Sequence, residues 1–187
     1  MNTFIRRLFG AVALDAGTYE DVEADASANL QAMAVVVLSA VAAGIGAQGF
    51  GARWSLVPMI STVALIAWLA WALLTFEIGV RFLATPDTHS DVSELMRTIG
   101  FASAPGILRV LGVVPAFAAP AFAVSAIWML AAMILAVRQA LDYKSTARAV
   151  AVCAIGWLLV AVLVVASGWT TPVSSAVKTA AAAGSSL

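Results

Sequence analysis

Residues 26–52, 54–76, 110–137 and 149–177 of this chain contain no Asp, Glu, Lys or Arg. A bilayer core of about 30 Å takes about 20 helical residues to cross, and each of these runs is long enough. A fifth, shorter apolar stretch lies between Arg97 and Arg109. Backbone polar groups in lipid must be satisfied internally, so such runs fold as helices. Only 11% of the residues are charged, against about 25% in soluble domains, which excludes an ordinary soluble fold. The formal net charge is zero, so no basic patch is present to recruit nucleic acid.

These runs predict an all-α polytopic membrane bundle with five transmembrane helices, at roughly 29–50, 56–78, 98–114, 118–137 and 149–169. The third and fourth spans read as short and broken by proline, with Pro105 in the third and Pro115 and Pro120 at a hinge between the two. Cytoplasmic loops carry excess Lys and Arg. With five spans and a cytoplasmic N-terminus, Arg6, Arg7, Arg81, Arg97, Arg138, Lys144 and Arg148 fall inside, and only Arg53 and Lys178 outside. With four spans, Arg138, Lys144 and Arg148 move outside and the bias is lost. The expected location is therefore the cytoplasmic (inner) membrane, N-terminus cytoplasmic and C-terminus external. Trp54 and Trp169 then lie at the outer interface, where indole rings are favoured. Trp68, Trp71, Trp128 and Trp157 fall deeper and read as packing residues.

Three regions follow: a cytoplasmic amphipathic and acidic segment at 1–28, a transmembrane domain at 29–169 and a disordered external tail at 170–187. In the first, Phe4, Ile5, Leu8, Phe9 and Val12 recur at helical spacing with Arg6 and Arg7 on the other side. That pattern predicts an interfacial helix on the cytoplasmic leaflet. Thr18 followed by Asp21 reads as a helix cap with an acid three residues on. The tail is Ala, Ser, Thr and Gly with one Lys, which offers no apolar pattern for packing.

Few residues can carry chemistry. His89 is the only histidine and lies in a polar loop with Asp87 and Asp91; Cys153 stands alone in an apolar run. A metal or haem site within one chain needs more ligands than these, so no metal, cofactor or catalytic residue is assigned, and the chain is not read as an enzyme. Glu77 and Arg81, four apart, are placed to pair on one helix face. Arg109 lies about 18 Å beyond Arg97 along an α-helix, near the middle of the bilayer. Intramembrane charges face a partner or a polar interior, and no acid lies in the adjoining runs. Three readings stay open for Arg109: it snorkels outward, contacts carbonyls, or meets another protein or a lipid phosphate. Pro105 frees a carbonyl that Ser103 or a neighbouring helix must satisfy. Ala40/Gly44 and Ala42/Gly46 offer close-approach pairs on the first span.

Four stretches resemble one family. They are Leu14-Asp15 with Thr18 to Asp25; Ile99-Gly100-Phe101-Ala102-Ser103-Ala104-Pro105-Gly106; Ile127-Trp128 with Ala136 to Ala140; and Ser145 to Ala149. Together they resemble the Yip family of membrane proteins, named for interacting with Ypt/Rab GTPases, in its compact bacterial branch. The resemblance implies five transmembrane helices, a cytoplasmic N-terminus and a short external C-terminus. It singles out Gly100, Phe101 and Pro105. The eukaryotic members' binding of prenylated GTPases is not carried over, because this chain lacks their Asp-Leu-Tyr-Gly-Pro motif and their long cytosolic N-terminal region.

The functional expectation is a non-enzymatic organiser, assembly factor or accessory subunit of a membrane complex. Its partners are then the lipid bilayer and other membrane proteins, or further copies of itself. A small transporter or channel using Arg109, Glu77 and the broken third span is the alternative. A lipid-modifying enzyme centred on His89 comes third.

Overall fold

The computed structural model describes residues 3–48, 54–83 and 91–166, and every regular element among them is helical. The α-helices are α1 (Thr3–Val12), α2 (Ala16–Ala24), α3 (Asn29–Gln48), α4 (Val57–Glu77), α5 (Val92–Ala102), α6 (Pro115–Ala140) and α7 (Thr146–Ala166). Short 3₁₀ turns at Ala26–Ala28 and Trp54–Leu56 lead into α3 and α4, and a π turn at Ile78–Phe82 extends α4. Among the described residues, three helices are long and apolar enough to cross a membrane: Ala26–Gln48, Trp54–Phe82 and Pro115–Ala140. Thr146–Leu159 in α7 is a shorter apolar stretch. The loop around Asp87 and His89, the residues Arg53, Trp169 and Lys178, and the tail at 170–187 lie outside the described residues.

The expectation of a short, broken fourth span is wrong. α6 runs unbroken for 26 residues, with Pro115 at its start and Pro120 inside it. A first-turn proline loses an N–H that has no helical partner anyway, and Pro120 removes one bond close to the helix start rather than splitting its middle.

The expected break in the third apolar stretch is present. α5 stops at Ala102, and Ala104–Val113 continues as ten residues of 3₁₀-helix with Pro105 in its first turn. The Ser103 hydroxyl donates to the Ile99 carbonyl at 3.3 Å, and the Ser103 N–H to Gly100 at 3.1 Å. A 3₁₀-helix rises about 2.0 Å per residue against about 1.5 Å for an α-helix, so the segment travels farther than its length in α-helix would.

It runs beside α3 in the same direction. Ser93 and Arg97 reach Asn29 at 3.3 and 3.4 Å. A Cβ on Gly100 would sit 2.8 Å from the Ala32 Cβ, and one on Gly112 2.8 Å from the Gly46 carbonyl oxygen. Between these points Gly106 lies against Ser39. Glycine is required wherever two backbones come this close. Gly44 serves the other neighbour, since a Cβ there would sit 2.6 Å from the Ser61 hydroxyl of α4. The small residues of α3 thus open two approaches, one to α4 and one to the 92–113 segment.

One end of the bundle is joined by polar contacts. Gln139 donates to Glu20 at 2.6 Å, tying α6 to α2, and Arg97 donates to the Glu23 carbonyl at 2.5 Å, tying α5 to α2. The Tyr143 hydroxyl donates to the Gly79 carbonyl at 2.9 Å, and Arg148 to that of Leu83 at 3.4 Å. The starts of α3, α5 and α7 and the ends of α4 and α6 therefore meet there.

α1 is amphipathic, as its spacing predicts, but its two arginines part company. Arg6 stays exposed, whereas Arg7 is only 4% exposed and turns toward α2. Phe4 and Val12 reach the bundle. The Phe4 ring lies 6.4 Å from that of Phe101, and the Trp128 indole N–H donates to the Val12 carbonyl at 2.8 Å. Ile5 and Phe9 remain outward. The turn after α1 closes with Leu14 at φ 59°, Asp15 N–H bonding to Gly10 and Leu14 N–H to Ala11. This is the left-handed helix end that glycine usually provides. Thr18 is not the cap of α2. Asp15 is, and Thr18 donates to its carboxylate through both N–H and hydroxyl, at 3.1 and 2.6 Å.

Candidate functional site

Arg109 lies elsewhere than an α-helical count puts it. The 3₁₀ stretch carries it past the middle of α3, and its carbonyl oxygen abuts Gly46, two residues from the last residue of that helix. Its side chain then turns back into the bundle. Nε donates to the Ser125 hydroxyl at 3.1 Å, and the guanidinium lies 5.8 Å from the centre of the Phe122 ring, within cation–π range. Ser125 in turn donates to the Phe122 carbonyl at 3.1 Å. Arg109 borders a cavity of about 50 Å³ together with Ser39, Trp68 and Ser103. Ser39 lies about 10 Å deeper along α3 than Gly46. Arg109 therefore reaches inward, and the snorkelling that long cations at helix ends usually show is not what this structure has.

The other third-segment residues pack. Gly100 admits α3, Phe101 is fully buried beside Phe4, and Pro105 is buried at the start of the 3₁₀ stretch. Pro105 also lines an apolar groove of about 310 Å³ between α1, the 3₁₀ stretch and Trp128.

Glu77 and Arg81 form the expected pair, with Arg81 Nε 2.7 Å from the carboxylate. Both are exposed, at 46% and 72%, so the contact is worth little. The pair sits at the end of α4, whereas Arg109 is level with its start. Glu77 and Arg109 do not share a site.

Sequence reasoning missed the cluster that ties down the N-terminal helices. Arg7 Nε meets Asp21 at 3.0 Å, its amino groups meet Asp25 at 2.8 Å and Gln31 at 3.4 Å, and Arg6 also reaches Asp21 at 2.9 Å. Hydrogen bonding from Arg7 holds the Asp21 carboxyl below its usual range. The Asp25 carboxyl is lowered to about 2, first by the Ser27 hydroxyl and then by Arg7. Four acids at 20–25 facing two arginines one helix upstream was the available signal.

Glu23 behaves oppositely. Burial raises its carboxyl to about 7, with Asp142, Glu94 and Glu20 adding repulsion and Arg97 opposing. It borders a polar cleft of about 340 Å³ with Glu20, Arg138, Asp142 and Lys144. Cations and acids alternate there, and no group of three or more His, Cys, Asp or Glu among the described residues is placed to hold a metal. Cys153 is buried and unpaired.

Comparison of the chain with protein-family models, with curated proteins and with solved structures found no match.

Proposed function

We propose that the chain is a five-span integral membrane protein of the inner-membrane type that organises or assists other membrane proteins without catalysing a reaction. One observation carries this reading: the charged groups at the polar end are largely consumed in holding the chain to itself, while the apolar faces are left outward. On α4, Met59, Val63, Ile66, Leu69 and Leu73 are all exposed, at spacings that form one helical stripe. Such a stripe is covered by lipid or by a neighbouring helix.

Five spans fit better than three or four for a geometric reason. The 92–113 segment accompanies α3 from Asn29 to Gly46, and the helix ends carrying Arg97, Arg138 and Arg148 meet at one face. The resemblance to the Yip family points the same way. The span count is tested by single cysteines at Lys144 and Leu111 in intact cells. Five spans place Lys144 inside and Leu111 at the outer surface. Labelling of both from outside sinks the five-span reading.

The organiser role is tested by mild extraction of the tagged protein from its native membrane. A stoichiometric membrane partner supports it, and isolation as a lone chain in several amphiphiles counts against it. A solute pathway is the second reading, favoured by the small, mostly apolar cavity that Arg109, Ser39 and Ser103 border. Unchanged flux through proteoliposomes carrying Arg109→Ala removes it.

A further inference from the structure

We infer that the α1–α2 hairpin is a proton-controlled strap: it is seated on α5 and α6 while the Glu23 carboxyl holds a proton, and loss of that proton releases it. The device does not depend on the organiser reading.

The hairpin is built to move as one piece. Arg6 and Arg7 of α1 meet Asp21 of α2, and the Tyr19 hydroxyl donates to the Ala11 carbonyl at 3.1 Å. α2 then ends at Asp25, whose backbone is extended (φ −100°, ψ 98°) before the 3₁₀ turn into α3. That break is the pivot, and the contacts of Arg7 with Asp25 and Gln31 lie beside it. The seat is largely apolar, with Tyr19 and Val22 fully buried. Its polar ties to α5 and α6 are those of Gln139 to Glu20, Arg97 to the Glu23 carbonyl and Trp128 to the Val12 carbonyl.

Glu23 sits where negative charge is poorly accommodated. It lies in the last turn of α2, the negative end of the helix dipole, and that turn holds no basic residue. Among the described residues its carboxylate accepts no hydrogen bond and joins no ion pair. Each element around it brings charge. α2 brings Glu20, α5 brings Glu94 and Arg97, α6 brings Arg138, and the turn after α6 brings Asp142 and Lys144. Arg97 is already held by neutral partners: Asn29, Ser93 and the Glu23 carbonyl. With Glu23 ionised, four acids face three cations; with Glu23 protonated, the two signs balance.

Burial, then repulsion from these acids, raises the Glu23 carboxyl to about 7. An open hairpin returns it to water and to the ordinary value of about 4.3. Release therefore grows as pH rises from about 4.3 to 7 and levels off above. Opening uncovers Tyr19 and Val22, so the proton controls whether an apolar face is offered to a neighbour.

The test is amide exchange of the full chain in a neutral detergent from pH 5 to 8, corrected for the intrinsic rate. Protection across Ala16–Ala24 is expected to fall by more than about tenfold between pH 5 and 7 and then level off, while α4 keeps its protection. Glu23→Gln, which mimics the protonated acid, holds α2 protected at every pH. Asp142→Asn removes one repelling charge, so the fall becomes smaller and ends at lower pH; it keeps the proposal testable if Glu23→Gln fails to fold. Protection of α2 that is flat with pH overturns the proposal, as does a wild-type fall in either variant. An equal fall in α4 also overturns it, since the whole bundle rather than a strap would then be loosening.

Discussion

The Trp128 indole donates to the carbonyl of Val12 at 2.8 Å, across 116 positions of sequence. The acceptor lies at the last residue of α1, where helix carbonyls have no partner of their own. The bond therefore satisfies an orphan acceptor and fixes where α1 ends against α6. Trp128→Phe keeps the ring contact and removes the donor, which costs about 1 kcal/mol. Amide exchange across Thr3–Val12 is expected to quicken about fivefold, with α6 itself little changed. Identical exchange in the two proteins would mean that α1 is held by its other contacts alone.

Two arginine–carboxylate contacts of similar length differ in consequence. Arg7 is 4% exposed and joins two acids that are 40% and 36% exposed, while Arg81 and Glu77 are both open to solvent. Removing Arg7 leaves acids that water can still reach, so the loss falls below that of a fully buried pair. Arg7→Met is expected to cost about 2 kcal/mol. Glu77→Gln is expected to cost less than about 0.5 kcal/mol. Thermal unfolding of both variants in one detergent decides it, and equal losses would refute the distinction.

The acids of the N-terminal region give stability two opposite slopes against pH. Asp21 and Asp25 are lowered in the folded chain. Their contribution is complete above the ordinary aspartate value of about 3.9 and fades as pH falls toward 2. Glu23 is raised to about 7, so the folded chain binds its proton more tightly than the unfolded chain does. Stability then declines as pH rises from about 4.3 to 7. Glu23→Gln is expected to flatten the slope between pH 4.5 and 7 and to raise Tm at neutral pH, leaving the acid limb in place. A Tm profile from pH 3 to 8 that keeps its upper slope in Glu23→Gln would exclude Glu23 as the source.

Two glycine-to-alanine changes separate close approach from mere helix propensity. A Cβ on Gly46 would overlap the Arg109 carbonyl, which is backbone and cannot swing aside; on Gly17 the nearest atoms are 3.9 Å away. Gly46→Ala is expected to destabilise by about 2 kcal/mol. Gly17→Ala is expected to be neutral or to stabilise by up to about 1 kcal/mol. Unfolding midpoints that rank the two the other way would mean that α3 and the 3₁₀ stretch are not in contact.

The three long apolar helices are legible from charge alone, since nothing local competes with a run such as 54–76. The 92–113 segment is legible as a broken helix, because Pro105 forbids a regular one. Its conversion to ten residues of 3₁₀-helix is not legible, because 3₁₀ and α share their residue preferences and differ by contacts with α3. That one unread feature moved Arg109 from the middle of the bundle to the end of α3. Pro120 failed in the opposite sense: a proline near a helix start reads like a break when the start itself is misplaced by three residues. Arg6 and Arg7 looked alike, being adjacent and both charged. Only the position of α2 distinguishes the one that is buried. At Arg109 the charge was visible, but Ser39, Trp68 and Ser125 were not, since they come from three other helices and carry no shared pattern.

The docking of α1 also has an order in time. Its ring partner is Phe101 and its hydrogen-bond donor is Trp128, and neither exists while α1 is emerging from the ribosome. Arg7, by contrast, finds Asp21 and Asp25 within 18 residues. The hairpin of α1 and α2 can close as soon as it is made, whereas its seat in the bundle is absent until α6 is synthesised. An early helix thus waits, with Phe4 and Val12 uncovered, for the late part of its own chain.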